Sequence, residues 1–147
     1  MLTIRQSLPS DTPGLIKLRT TWVEEQTNEP LEEPNFELDY RNWEENNPRT
    51  MFIAKLDGII VGMLNLMVLE RMPQPGKKTT CWIYPGNAFI VAQHRNMGVG
   101  SRLMDAATQF SQDIHAVRIL LSSTDESHAF YARHGFVSAD ELLVKRF

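Results

Sequence analysis

The segment "VAQHRNMGVGSRLM", residues 91–104, sets Gly98 and Gly100 between the end of an apolar run and the start of an amphipathic one. A helix that opens there exposes unpaired N–H groups and the positive end of its dipole. Two glycines let the main chain approach a bulky anion closely, and Arg95 and Arg102 add positive charge nearby. Strand, glycine turn and helix start together make a site for phosphate or diphosphate. Taken alone, the two glycines fit an ordinary tight turn equally well. A triphosphate-binding loop needs GxxxxGK(S/T), and no lysine follows here. The dinucleotide fingerprint GxGxxG fails at its third glycine, where Leu103 stands. The pattern (R/Q)xxGx(G/A) is matched in full by Arg95-Asn96-Met97-Gly98-Val99-Gly100.

Tyr131, inside "SSTDESHAFYARHGF" at residues 122–136, reads on its own as a helix residue whose ring packs in the core. Upstream, Glu24, Glu25, Glu29, Glu32, Glu33 and Glu37 are interleaved with Trp22, Phe36, Tyr40 and Trp43. Carboxylates beside aromatics suit a cationic amine; the same residues also suit a solvated loop over an aromatic core. The histidines do not cluster: His94 and His115 are expected at the surface, and His128 and His134 on the helix of Tyr131. No metal site follows. Cys81 is the one cysteine, which excludes an internal disulfide and reads as a buried strand residue.

These groups need elements to hold them. "LTIRQSL" alternates as a strand, and "PSDTPGL" opens a helix with Asp11 as cap and Pro13 in the first turn, running through about Glu25. "QTNEPLEEPN" is loop, and Phe36, Tyr40 and Trp43 space a second helix. "TMFIAKL" and "IIVGMLNLMV" form a hairpin through Asp57-Gly58. "TTCWIYPGNAFIVA" is a strand whose Pro85-Gly86 predicts a bulge or bend. Val99, Leu103, Ala106, Ala107, Phe110 and Ile114 then make one helical stripe. "VRILLSS" is a short buried strand, Ser123 to Glu126 matches a capping box, and Gly135 ends the helix so begun. "FVSADELLVKRF" has strand character. The order β α α β β β α β α β predicts an α/β (α+β) fold with one central mixed sheet.

At 147 residues the chain fits one domain spanning 1–147. With 42% hydrophobic residues and 22% charged it has globular composition. A net charge of −3 lacks the electrostatic footprint of a nucleic-acid binder. No apolar run is long enough for a membrane span, and the N-terminus lacks a signal-peptide core, so a cytoplasmic protein is expected.

"FIVAQHRNMGVGSRLM" resembles the acetyl-CoA motif of the GCN5-related N-acetyltransferases, and "SSTDESHAFYARHGF" is similar to that family's next segment, with its tyrosine shortly before Gly-Phe. The resemblance is specific over residues 88–136 and topological before them. It implies a mostly antiparallel mixed sheet flanked by about four helices and splayed at the CoA-binding strand. It implies that Ile90 and Val91 offer main-chain groups to the pantetheine arm, and that the diphosphate rests on the amides of Arg95, Asn96, Met97, Gly98, Val99, Gly100 and Ser101. Side chains would be absent at Gly98 and Gly100 to leave room for the phosphates. Tyr131 would stand beside the thioester sulfur as general acid, with Ser127 one turn earlier either near the pantetheine or on plain surface.

The activity implied is acetyl transfer from acetyl-CoA to a primary amine of a small molecule or peptide, directly in a ternary complex. Relatives often form homodimers. Many use a glutamate on the central strand as base; by register that position is Gly86 here, so no base is assigned. Tyr84 and Asn87 could order a water, and Glu24, Glu25 and Glu70 stand at a distance. The missing glutamate leaves a non-catalytic CoA-binding regulatory module as the alternative.

Overall fold

The computed structural model describes all 147 residues. Five strands form one sheet in the order β1-β2-β3-β4-β5. They are β1 (Leu2–Gln6), β2 (Thr50–Leu56), β3 (Ile59–Glu70), β4 (Cys81–Ile90) and β5 (Arg118–Ile119). The first three pairings are antiparallel and β4–β5 is parallel. Four α-helices accompany them: α1 (Thr12–Thr27), α2 (Phe36–Asn46), α3 (Val99–Asp113) and α4 (Asp125–Arg133). This is the mixed, mostly antiparallel α/β arrangement that the element order predicts.

Alternation along the strands splits the core between the two faces of the sheet. Met51, Ile53, Met63 and Phe89 pack with Leu15 and Leu18 of α1 and Tyr40 of α2. Phe52, Ala54, Leu64, Leu66 and Ile83 pack with Leu103, Met104 and Ala107 of α3. The Asp57-Gly58 hairpin has both residues at positive φ, +48° and +86°, as a two-residue turn matched to strand twist requires.

Two irregularities shape the middle of the sheet. The β3–β4 register passes from Asn65↔Asn87 to Leu66↔Pro85, leaving Gly86 as the extra residue of a bulge, where the Pro-Gly pair predicts one. The β4–β5 ladder holds only Trp82↔Arg118 and Ile83↔Ile119. The last bond between them runs from the Leu120 N–H to the Ile83 carbonyl, at 2.9 Å. Beyond Ile83 the β5 side of β4 has no strand beside it.

Some sequence expectations are corrected. "VRILLSS" pairs at two residues only. "FVSADELLVKRF" forms no strand: no sheet edge pairs with it, and Leu143 and Phe147 stand in solvent. The cap of α4 is Thr124, one residue after Ser123; its side chain accepts from the Ser127 N–H at 3.3 Å while the Thr124 N–H donates to Ser127 Oγ at 3.0 Å. Asp11 does not cap α1. Its carboxylate turns back to Arg5 (2.7 and 3.0 Å), the Leu8 N–H (2.8 Å) and Lys55 (3.4 Å), a stronger set of donors than one helix-end amide. Gly135 follows α4 at φ +85°, as a helix-ending glycine should.

Candidate active site

The turn from β4 to α3 presents a row of free donors. The Arg95 N–H donates to the Ala92 carbonyl (3.2 Å), and the first bond of α3 runs from the Arg102 N–H to the Gly98 carbonyl (3.1 Å). Between them, the N–H groups of Asn96, Met97, Gly98, Val99, Gly100 and Ser101 have no acceptor in the chain, and no side chain caps the helix. Asn96 and Gly98 adopt positive φ, +61° and +78°, so successive amides turn inward as in an anion nest.

The two glycines differ in their reasons. A Cβ on Gly98 would meet nothing within 4 Å, so its left-handed backbone explains the residue. A Cβ on Gly100 would lie 3.2 Å from Ile90 Cδ1 and 3.4 Å from the Phe130 ring. Gly100 therefore lets α3 approach β4 and α4 closely. Backbone conformation at Gly98 and packing at Gly100 thus account for the two glycines, whatever room a phosphate needs.

Arg95 is not aimed into this turn. Its Nη2 pairs with Glu25 Oε2 of α1 at 2.5 Å, and its Nε donates to the Ile90 carbonyl at 2.8 Å. The other Glu25 oxygen accepts the Ala92 N–H at 2.9 Å. Glu25, expected as a solvated carboxylate or a distant base, instead ties the turn to α1.

Val91 also departs from expectation. Its N–H donates to the Val61 carbonyl (3.0 Å) and its carbonyl accepts from the His94 N–H (2.9 Å), so neither group is free. Strand alternation then turns the main chain of Ile90 and Ala88 toward the uncovered side of β4.

Along that side runs a cavity of about 220 Å³, whose lining includes Ala88, Ile90, Gly100, Phe130 and Tyr131. Tyr131 is half-buried, with Phe130 and Phe136 edge-on to its ring at 5.3 and 5.5 Å. Burial pushes its phenol above the ordinary value of 10.0, so it stays protonated at neutral pH. The hydroxyl of Ser127 is taken up by the Thr124 cap. Tyr84 Oη lies 3.4 Å from Ser122 Oγ where β4 and β5 part.

A second cavity, about 300 Å³, lies between the helices and the bulge, and Met63 lines both. Phe36, Tyr40 and Trp43, the helix-spaced aromatics of the sequence, form one wall. Trp22 is elsewhere, stacked on Phe89 at 5.2 Å. None of the six interleaved glutamates lines this cavity; Glu24 accepts the Leu31 N–H (3.0 Å) and Glu37 pairs with Arg41 (3.0 Å). Glu70 pairs with Cys81 at the far end of β3.

The polar wall comes from residues that sequence reasoning missed: Arg19, Asp39 and Asn65, beside Asn87. Arg19 and Asn65 fall inside hydrophobic periodicities, so only the fold turns them toward one space. The Tyr40 hydroxyl and Asn65 Oδ1 are buried without a hydrogen-bond partner. Each such group costs about 1–3 kcal/mol. Burial, with the Glu44 carboxylate acting the same way and Arg19 opposing, pushes the Tyr40 phenol up to about 12. A Cβ on Gly86 would sit 3.4 Å from Asn65 Nδ2, so the bulge abuts this wall.

Solved structures share this architecture. A protein from Clostridium acetobutylicum described as a predicted acetyltransferase, solved with acetyl-CoA, is 20% identical, with TM-score 0.74, over 99% of this chain and 96% of its own. A ribosomal-protein-alanine N-acetyltransferase from Brucella melitensis biovar Abortus 2308 is 15% identical, TM-score 0.75, over 99% of each chain. AAC(6')-Iy, in complex with the bisubstrate analogue CoA-S-monomethyl-acetylneamine, is 18% identical, TM-score 0.71, over 100% of this chain and 98% of its own. At these identities the likeness is one of fold. No curated protein sequence matches the chain. The sequence model described as the acetyltransferase (GNAT) family matches residues 16–136, which takes in both cavities' helices, the bulged strand and the glycine turn: the chain belongs to the GNAT acetyltransferase family.

Proposed function

We propose that the protein is an acetyl-CoA-dependent N-acyltransferase acting on a primary amine by direct transfer in a ternary complex. The observation that carries the reading is the line from the free amides of Asn96–Ser101, along the uncovered edge of β4, past Tyr131. The amides and the dipole of α3 suit a diphosphate, and Ile90 and Ala88 suit a pantetheine arm. Arg95 serves this site by bracing the turn to Glu25. The amides of Asn96–Ser101 have no other acceptor in the chain, while the Ile90 carbonyl already accepts from Arg95 Nε and leaves its N–H for the arm.

In the reaction the amine nitrogen, as free base, bonds to the acetyl carbonyl carbon and the carbon–sulfur bond breaks. The Tyr131 hydroxyl gives its proton to the departing sulfur. A thiol has a pKa of about 8.5 and a phenol of about 10, so this step is mildly uphill in water and becomes useful where a bare thiolate is poorly solvated. The proton shed by nitrogen passes to solvent, from which the phenolate is reprotonated. Gly86 holds the position of the family's usual base, so the acceptor reaches the site already deprotonated or loses its proton to water.

The test is acetyl-CoA turnover over a panel of amines, with products weighed by mass spectrometry, beside calorimetry with CoA. Tight CoA binding with no turnover on any amine would leave the non-catalytic module. No CoA binding at millimolar concentration would remove both.

A further inference from the structure

The second cavity offers a set of unmatched groups that specifies its guest. Arg19 is the decisive one. It lines the cavity, its side chain makes no hydrogen bond or ion pair with any residue, and it lies over Trp22, with Cζ 4.5 Å from the ring centroid. The contact with the Trp22 ring holds the guanidinium without using its N–H fork, which is left for a planar anion. Its charge acts on the hydroxyl of Tyr40, a residue only 7% exposed whose O–H has no acceptor. Both residues line the one cavity, and neither donor has an acceptor in the chain; the Glu44 carboxylate also acts on the Tyr40 hydroxyl.

Beside the bulge the polarity reverses. Asn65, 5% exposed, keeps an unpartnered carbonyl oxygen, and its Nδ2 lies 3.5 Å from Asn87 Oδ1. Those amide oxygens accept N–H bonds and donate none. Asp39, exposed on α2, is the lone carboxylate on the lining and does not pair with Arg19. Phe36 and Trp43 cover the remainder with apolar surface.

Resting on the acyl-transfer reading above, we infer that this cavity selects an aminocarboxylate with an apolar body: its carboxylate between Arg19 and the Tyr40 hydroxyl, its amine toward Asn65 and Asn87, its side chain against Phe36 and Trp43. The amine end then faces the bulge and Met63, the residue shared with the cavity of Tyr131. A polyamine meets the Arg19 charge with no anion to offer it. A volume of about 300 Å³ has room for one amino acid.

The experiment compares L-phenylalanine and its β-homologue with phenethylamine, spermidine and an aminoglycoside as acceptors, and titrates L-phenylalanine into the CoA-bound protein by calorimetry. The expected kcat/KM for at least one aminocarboxylate exceeds that for phenethylamine by about tenfold or more, the range of a charge-assisted bond. Arg19→Gln raises KM for the aminocarboxylate by a similar factor and leaves phenethylamine unchanged. Tyr40→Phe, which removes one buried oxygen and keeps the packing, acts in the same direction. CoA affinity stays at the wild-type value in both variants and shows that they are folded.

Phenethylamine, spermidine or the aminoglycoside used as well as the aminocarboxylates would overturn the inference and leave the acyltransferase standing. So would an Arg19→Gln effect equal for acid and amine. Arg19-dependent binding of L-phenylalanine without turnover on any acceptor would uphold the site and sink the enzyme.

Discussion

Glu25 of α1 and Arg95 of the β4–α3 turn form an ion pair of 2.5 Å, and the free oxygen of the same carboxylate holds the Ala92 N–H at 2.9 Å. Residues seventy positions apart thus fix the chain just ahead of the free amides. The pair is partly solvated, with side chains 46% (Arg95) and 27% (Glu25) exposed, so its charge alone is worth about 0.2–1 kcal/mol. Glu25→Gln keeps an acceptor for Ala92 and should weaken CoA binding by up to about fivefold. Glu25→Ala loses both contacts and should weaken it further. Arg95→Gln combined with Glu25→Gln should be less than additive in calorimetry. Strict additivity would show that the pair does not act through the turn.

Gly98 and Gly100 should respond differently to substitution. At Gly98 the obstacle is the backbone at φ +78°, with open space around the missing Cβ. Asparagine tolerates that conformation and valine does not. Gly98→Asn should therefore fold and bind CoA nearly as the wild type, whereas Gly98→Val should lose about 1–2 kcal/mol of stability. Gly100→Val instead forces Ile90 and Phe130 apart, so thermal melting should show the larger loss there. Equal melting temperatures for the two valine variants would contradict this division.

Local chemistry made much of this legible before the fold was known. Asp57-Gly58 encodes its hairpin by tolerating positive φ, Pro85-Gly86 marks the bulge, and Phe36, Tyr40 and Trp43 announce one face of α2. What was hidden depends on distant contacts. Nothing near Glu25 says that it meets Arg95, and nothing near Arg19 or Asn65 says that they share a cavity. A charged residue on an amphipathic helix reads as solvated until a sheet covers that side. The tail from Phe136 misled for the converse reason: alternation makes a strand only where an edge receives it.

Acid should destabilise the protein through Asp11. The carboxylate is 4% exposed and bonded first of all to Arg5, then to the Leu8 N–H and Lys55, which holds it well below the ordinary carboxylate value of 3.8. A depressed folded-state pKa contributes stability that is complete above the unfolded value and fades as pH falls below it. Asp11→Asn should lower stability at pH 7 by about 2–3 kcal/mol, under the loss for a fully buried pair because Arg5 keeps contact with water. Chemical denaturation from pH 7 to pH 2 should show wild type and variant converging below about pH 4. A constant gap across that range would mean that packing around Asp11, and not its charge, carries the difference.

Tyr131→Phe separates the proton donor from the scaffold. The ring keeps its edge-on contacts with Phe130 and Phe136, so the fold and acetyl-CoA affinity should change little. Loss of a positioned acid should lower kcat by about a hundredfold or more. Burial raises the phenol's pKa, which keeps the donor protonated through neutral and mildly alkaline conditions. The wild-type kcat should therefore lose its Tyr131-dependent activity only above the ordinary phenol value of 10.0, and the variant should lack that alkaline limb. Pre-steady-state turnover is the deciding measurement, because slow product release would mask a chemical defect in kcat alone. An unchanged single-turnover rate would take Tyr131 out of the chemistry and leave it as a packed wall of the cavity along β4.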